Sequence, residues 1–184
     1  MTTFFTADLH LGHSNIVKYC DRPFKDADDM NTALIRNWNQ RAKPGDIVFH
    51  LGDFCCRGNE RGVPGVRTKA ESWERELNGK IIHIKGNHDA NNGVKAALDM
   101  AVLEFSGKKW LLVHRPPYCR DDIPRSCDVV LCGHVHEKWS HRFVDGIVVI
   151  NVGVDQHRFI PLTKAEVETL RYRAMEQLKR GEEE

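Results

Sequence analysis

The chain contains no long hydrophobic segment, no excess of one charge sign and no regular arrangement of cysteines. Its apolar runs fall short of the roughly 18 residues that a transmembrane helix needs. Residues 1–5 lack the basic segment and following apolar stretch of a secretory signal. The net charge of +1 is too small for a protein that neutralises many phosphates of a duplex. We therefore expect a cytoplasmic protein that does not bind membranes and forms no stable complex with nucleic acid.

The six cysteines show no pattern typical of disulfide-bonded or zinc-binding domains. Their spacing is irregular, no C-x-x-C pair occurs, and a chain of 184 residues can build a hydrophobic core without cross-links. We expect reduced thiols within one domain that spans residues 1–184.

Hydrophobic periodicity divides the chain into two halves. In the first half, strand-like segments alternate with helical patterns. The strands are predicted at residues 3–7, 47–51 and 80–85, and the helices at residues 15–19, 26–41, 68–77 and 94–99. Residues 57–65, rich in glycine and charge, are predicted to form a surface loop.

The second half consists mainly of strands. Two hairpins are predicted, the second around the Asp145-Gly146 turn. A final helix over about residues 164–180 begins with a capping box formed by Thr163 and Glu166. Two facing sheets with helices on the outside account for both halves of the chain, which predicts an α/β fold.

Side chains that favour metals follow the apolar runs. They lie in the segments Asp8-Leu9-His10, Gly52-Asp53, Gly86-Asn87-His88-Asp89, His114 and Gly133-His134-Val135-His136. Because open α/β sheets place their sites at the carboxyl ends of the strands, we expect these side chains to meet at one rim. Carboxylates, imidazoles and an amide brought together in this way indicate a two-metal hydrolytic site.

The spacing within these segments supports metal binding. Asp8 and His10 are two residues apart, which on an extended segment puts both side chains on the same side, and His134 and His136 repeat this spacing. Asp53 has two carboxylate oxygens and can bridge two cations. Nitrogen and oxygen ligands without thiolate suit manganese, iron, zinc, cobalt or nickel.

The ordered set D-x-H, G-D, G-N-H-[DE], H and G-H-x-H resembles the calcineurin-like metallophosphoesterase superfamily. The match spans about residues 5–160, and Asn151-Val152-Gly153-Val154-Asp155 followed by Pro161-Leu162 resembles the tail of small bacterial and phage members. The resemblance implies a four-layer α/β/β/α sandwich of two facing mixed sheets with outer helices.

The resemblance also implies a binuclear centre of two divalent metal ions, for which manganese is favoured. One metal would be held by Asp8, His10, Asp53 and His136, and the other by Asp53, Asn87, His114 and His134. A hydroxide that bridges the metals would attack phosphorus in line, without a covalent enzyme intermediate.

Further residues are candidates for contact with the substrate. The resemblance puts His88 near the leaving oxygen, where it would donate a proton, and its neighbour Asp89 would orient it. Arg57 is retained from the G-D-x-x-D-R-G pattern of larger Ser/Thr phosphatases and would contact a phosphate oxygen; a solvated loop arginine is the alternative. His13, in the loop after His10, would contact the substrate; a loop histidine bonded to backbone is the alternative.

The favoured hypothesis is a metal-dependent phosphoesterase that acts on phosphodiesters, with a phosphorylated small molecule or nucleotide as substrate. A phosphomonoesterase, a phosphoprotein phosphatase and a nuclease or cyclic-nucleotide phosphodiesterase remain open. A catalytically idle scaffold and a stand-alone nucleic-acid-binding domain are disfavoured, because the expected ligands are all present and no basic stripe occurs. The sequence leaves the oligomeric state open.

Overall fold

A computed structural model describes residues 1–56, 69–96 and 98–181. The strands of the described chain are β1 Thr3–Thr6, β2 Ile47–Leu51, β3 Lys80–Ile84, β4 Met100–Phe105, β5 Lys108–Val113, β6 Val129–Cys132, β7 His141–Val144, β8 Ile147–Asn151 and β9 Leu162–Thr163. The α-helices are α1 Ser14–Tyr19, α2 Ala27–Arg41, α3 Ala70–Glu74, α4 Asp89–Asn92 and α5 Lys164–Arg180.

Two mixed sheets carry the fold. The first has the order β3-β2-β1-β9, in which β1, β2 and β3 are parallel and β9 is antiparallel. The second has the order β4-β5-β6-β8-β7, in which β5, β6 and β8 are parallel and the two hairpins supply the antiparallel edges. The predicted class, two facing mixed sheets with outer helices, is confirmed.

Buried side chains of the described residues form three hydrophobic clusters, one between the sheets and one on the outer face of each sheet. Phe5 and Leu51 of the first sheet pack against Trp110 and Leu131 of the second. Side chains of α1, α2 and α3 cover the outer face of the first sheet. Helix α5 packs on β8, β9 and β1, and the segment containing Ile123 covers the outer face of the second sheet. The sheets therefore hold their strand ends at fixed positions relative to each other.

The capping box at the start of α5 is confirmed: the Thr163 side chain accepts from the Glu166 N–H, and the Glu166 carboxylate accepts from the Thr163 N–H. The helix predicted at residues 94–99 is wrong. Helix α4 instead begins directly after the 86–88 turn and ends at Asn92, where Gly93 with a φ of 76° caps it, and Leu98 pairs with Ile84. The loop predicted at residues 57–65 lies outside the described residues.

The six cysteines all lie in the described residues, and none of them forms a disulfide bond. Among the described helices, none combines the length and the apolar character that crossing a membrane requires.

Candidate metal centre

The first two ligand segments are joined by backbone hydrogen bonds. The loop after β1 carries Asp8 and His10, and the loop after β2 carries Asp53. The Asp8 N–H donates to the Gly52 carbonyl and the His10 N–H donates to the Asp53 carbonyl, both at 3.0 Å. Parallel pairing therefore continues past the strand ends and brings these three side chains to one rim, as predicted.

The backbone at these positions is not extended. Positive φ angles, between 49° and 72°, occur at Asp8, His10, Asp53, His134 and His136. The extended backbone predicted for these segments is therefore wrong, although the side chains do converge. The left-handed conformation is costly for residues with a side chain and is typical of functional sites. These residues converge because the backbone turns at each of them.

Glycines allow the ligand loops to approach closely. A Cβ at Gly52, where φ is 88°, would lie 2.5 Å from Nδ1 of His114. A Cβ at Gly133 would lie 2.5 Å from the Cβ of Ala7 and 2.7 Å from Oδ2 of Asp8. Both contacts are too short for a real side chain, so the rim requires glycine where the two sheets meet.

Asp8, His10 and His136 form a first cluster, in which one candidate ligand atom from each residue lies within 4.8 Å of the others. The imidazole rings of His10 and His136 stack with centroids 5.1 Å apart. Oδ1 of Asp8 and Nε2 of His10 are buried and have no hydrogen-bond partner in the part of the chain that is described. Two potential metal-ligand atoms in this cluster therefore have no hydrogen-bond partner among the described residues.

Asp53, His114 and His134 form a second cluster with the same 4.8 Å limit. Nδ1 of His114 donates to the Leu51 carbonyl at 2.8 Å, which leaves Nε2 to face the cluster. That Nε2 lies 2.9 Å from Oδ1 of Asn87 and 3.4 Å from Oδ2 of Asp53. Asn87 therefore lies beside the second cluster.

Asp53 lies between the two clusters. Its Oδ2 is 3.7 Å from Nε2 of His10 in the first cluster and 3.4 Å from Nε2 of His114 in the second. Its Oδ1 accepts a hydrogen bond from the His88 backbone N–H at 2.9 Å. One carboxylate oxygen is thus available to both clusters.

Burial and neighbouring charges shift the pKa values of the cluster residues in opposite directions. Burial raises the pKa of Asp8 to about 6, although the charges of His136 and His114 act against it. Burial raises the pKa of Asp53 too, but the hydrogen bond and charge of His114 outweigh it and hold that pKa well below its ordinary value. Burial lowers the pKa of His134 to about 4. Burial likewise lowers the pKa of His10 well below its ordinary value, so His10 and His134 are uncharged near neutral pH and can act as ligands. Burial also acts to lower the pKa of His136, but its hydrogen bond to Asp155 outweighs burial and raises that pKa to about 10.

The cluster residues fit divalent cations. A buried carboxylate oxygen without a partner is costly, and Oδ1 of Asp8 is such an atom. A cation next to it would supply the missing partner of this oxygen and of Nε2 of His10. The donor set of carboxylate, imidazole and amide atoms is also the one that first-row transition metals accept.

Other predicted residues lie around the clusters in different ways. The His88 side chain is exposed, and its ring centroid is 5.9 Å from that of His10. The half-buried His13 ring lies 5.4 Å from His10, with the two Nδ1 atoms 3.4 Å apart. Arg57 lies outside the described residues, so its predicted phosphate contact stays a prediction.

Asp89 connects two loops of the rim. Its fully buried carboxylate accepts backbone N–H bonds from Asp53, Phe54 and Gly86 at 3.1, 2.9 and 2.7 Å. These bonds join the loop after β2 to the turn after β3. Its hydrogen bonds among the described residues run to backbone and not to the His88 ring, so they do not support the orienting role predicted for it.

Arg22 and Asp155, for which no role was predicted, lie behind the first cluster. Oδ2 of Asp155 lies 3.0 Å from Nδ1 of His136, and Arg22 pairs with the same carboxylate. Nδ2 of Asn151 also donates to the His136 carbonyl at 2.8 Å. Asn151 and Asp155 lie within the tail motif, which was the feature of the sequence that could have identified them. No sequence feature marks Arg22, because it meets Asp155 across 133 residues of chain.

The chain belongs to the calcineurin-like phosphoesterase superfamily. The sequence profile of the calcineurin-like phosphoesterase superfamily domain matches residues 1–167, which include both clusters. The family resemblance read from the motifs is thereby confirmed.

Individual relatives are similar to parts of the chain or to its fold. An uncharacterised protein of Methanocaldococcus jannaschii is 39% identical over 113 residues, which cover 61% of this chain and 58% of that protein. A UDP-2,3-diacylglucosamine hydrolase of Stenotrophomonas maltophilia is 27% identical over 136 residues, 67% of this chain and 50% of that enzyme. The chain thus spans about half the length of these curated relatives.

A solved structure shares the fold over most of its length. It is a protein of unknown function from Aquifex aeolicus, with a TM-score of 0.68 and 25% identity. The superposition covers 92% of this chain and 98% of that one.

Proposed function

We propose that the chain is a binuclear metal-dependent hydrolase of phosphate esters and that it prefers phosphodiesters. The observation that carries the proposal is the pair of ligand clusters with the Asp53 carboxylate between them. Membership of the phosphoesterase superfamily and the hydrolase name of the Stenotrophomonas relative support the same chemistry.

The ligand sets follow from the two clusters. Asp8, His10 and His136 would hold one cation, and Asn87, His114 and His134 the other, with Asp53 shared by both. When bound, two divalent cations neutralise phosphate charge and lower the pKa of a water toward neutrality. Manganese is the favoured metal, and iron, zinc, cobalt and nickel suit the same donor set.

The chain's own residues then position the ester and handle the proton. His88 is exposed at the rim, and its backbone is fixed by the bond from its N–H to Asp53. Its imidazole donates a proton to the leaving oxygen, a general-acid role that histidine commonly takes. His13, whose ring centroid lies 5.4 Å from that of His10, also contacts the substrate.

The substrate is proposed to be a phosphorylated small molecule or a nucleotide. Asn87 and His88 are both exposed, so the rim leaves room for an ester with two substituents on phosphorus. This accessibility is the reason for preferring diesters over monoesters.

A reconstitution experiment tests the proposal. Protein stripped with a chelator is loaded with Mn²⁺, Zn²⁺, Co²⁺ or Ni²⁺, and metal content is measured beside turnover of bis(4-nitrophenyl) phosphate and 4-nitrophenyl phosphate. We expect two metals per chain and metal-dependent turnover that is faster with the diester. Faster monoester turnover would overturn the preference, and two bound metals without turnover of either ester would indicate a scaffold.

A further inference from the structure

A buried ion pair lies directly behind the cluster of Asp8, His10 and His136. Nε and Nη2 of Arg22 donate to the two carboxylate oxygens of Asp155 at 2.8 and 2.9 Å. The two side chains are 0% and 3% exposed. A two-point Arg–carboxylate pair fixes orientation as well as distance.

The other N–H groups of Arg22 hold the first ligand loop. Nη2 donates to the Asp8 carbonyl at 2.7 Å, and Nη1 donates to the Leu9 carbonyl at 3.0 Å and contacts Sδ of Met30 at 3.3 Å. A guanidinium has five N–H donors, and the five contacts of Arg22 use all of them. It holds two consecutive carbonyls in the loop where Asp8 and His10 adopt positive φ.

Asp155 acts on the third member of the same cluster. A carboxylate oxygen accepts, so in the 3.0 Å contact with Asp155 the Nδ1 atom of His136 carries a proton, which makes Nε2 the ring nitrogen that would serve as a ligand. The ion pair is thus bonded to the backbone of Asp8 and Leu9, in the loop that carries His10, and to the His136 ring.

The second cluster has separate supports. His114 is oriented by the Leu51 carbonyl, and the His134 N–H donates to Oδ2 of Asp8 at 2.8 Å. Hydrogen bonds from Arg22 and Asp155 to Asp53, His114 or His134 side chains are absent among the described residues.

We propose that Arg22 and Asp155 are positioning residues that set the geometry of one metal position, the one formed by Asp8, His10 and His136. The inference rests on the proposed binuclear function. It assigns a selective role: the pair determines the affinity of this position and leaves the position at Asp53, His114 and His134 largely unchanged.

Metal titration of two conservative variants tests the inference. Asp155→Asn keeps the shape but replaces one accepting oxygen by an NH₂ group, and Arg22→Lys keeps the charge but cannot bond the carboxylate and both carbonyls together. Arg41→Lys is the matched control, because Arg41 pairs with Glu166 of α5 and contacts neither cluster. Zn²⁺ binding is followed by calorimetry, histidine ¹⁵N spectra of the zinc-loaded proteins report ring tautomers, and metal-free Tm values report folding.

We expect one of the two Zn²⁺ binding steps to weaken about 10- to 100-fold in both variants, the usual effect of losing an outer hydrogen-bond partner. The His136 signals should change while those of His114 and His134 stay. Equal weakening of both steps with a lowered metal-free Tm, or no weakening at all, would overturn the inference alone. Wild-type protein that binds no Zn²⁺ would instead overturn the proposed function, and this inference with it.

Discussion

Asp53 is the carboxylate that both ligand clusters approach. Replacing it by asparagine removes the charge but keeps an oxygen near His10 and His114. We expect Asp53→Asn to lower both the number of bound metals and the turnover, since both cations lose an anionic ligand. Metal analysis and kcat for an aryl phosphodiester check this, with Asp128→Asn, an exposed carboxylate that accepts from the Lys109 N–H, as control. Two bound metals with near-normal turnover would show that Asp53 is no bridge.

The exposed His88 imidazole is expected to affect the chemistry and not the metals. His88→Ala keeps the backbone N–H that donates to Asp53. Metal content should therefore stay, while kcat falls by roughly 10²–10⁴-fold, the usual range for general acid catalysis. The loss should shrink for diesters with acidic leaving groups, which depart without a proton. A loss that is uniform across a leaving-group series would point to a binding role.

At the scale of single residues, residue type and position predicted the members of the two clusters but not the backbone conformation and hydrogen bonds that hold them in place. Asp8, Asp53 and His134 could be identified because each follows an apolar strand. Their left-handed backbone could not be predicted, because it arises from pairing between loops that are distant in sequence. The roles of Asp155 and Arg22 could not be predicted for the same reason, since they depend on a contact between segments that are far apart in the chain.

At the scale of elements, Asp89 holds the end of β2 to the turn after β3. Asp89→Asn presents an NH₂ group to backbone N–H donors of Asp53, Phe54 and Gly86, so at least one donor loses its partner. A buried N–H without a partner lowers the free energy of unfolding by about 1–3 kcal/mol. In a chain of this size each kcal/mol lowers Tm by roughly 2–4 °C. Calorimetry of metal-free protein measures it, again against Asp128→Asn; an unchanged Tm would contradict the connecting role.

The long helices and the short helix α1 were predictable, whereas helix α4 was not. Helices α2 and α5 present a periodic apolar side and side-chain caps at Asp26 and Thr163, which the sequence displays. Helix α4 covers Asp89–Asn92, too few residues to show a period, and its start depends on the turn before it. The strand order within each sheet likewise follows from packing across the whole chain.

At the scale of the whole molecule, buried histidines make stability depend on pH. His50 is fully buried, and burial, followed by the charge of His83, lowers its pKa well below the ordinary value. The unfolded chain therefore binds a proton below about pH 6.5 that the folded chain does not. The stability that depends on a neutral His50 is present above pH 6.5 and is lost as the pH falls below it.

His50→Leu should reduce this acid sensitivity. Each such group contributes a slope of up to about 1.4 kcal/mol per pH unit. Urea unfolding of the metal-free wild type and variant at pH 7.5, 6.5 and 5.5 gives the slopes, and the difference between the two proteins isolates His50 from the other histidines. Parallel slopes would mean that His50 is charged, or reached by water, in the folded state.

The left-handed backbone at the ligand positions also has an evolutionary consequence. Each such residue costs on the order of 1–3 kcal/mol, and glycine adopts the same conformation without strain. In metal-free protein, His134→Gly, at a φ of 72°, should therefore raise the free energy of unfolding, which urea titration measures. A descendant that no longer needs metal would gain stability by losing ligands at such positions first. His114, which is not among the residues with positive φ, would offer no such gain and would be retained longer.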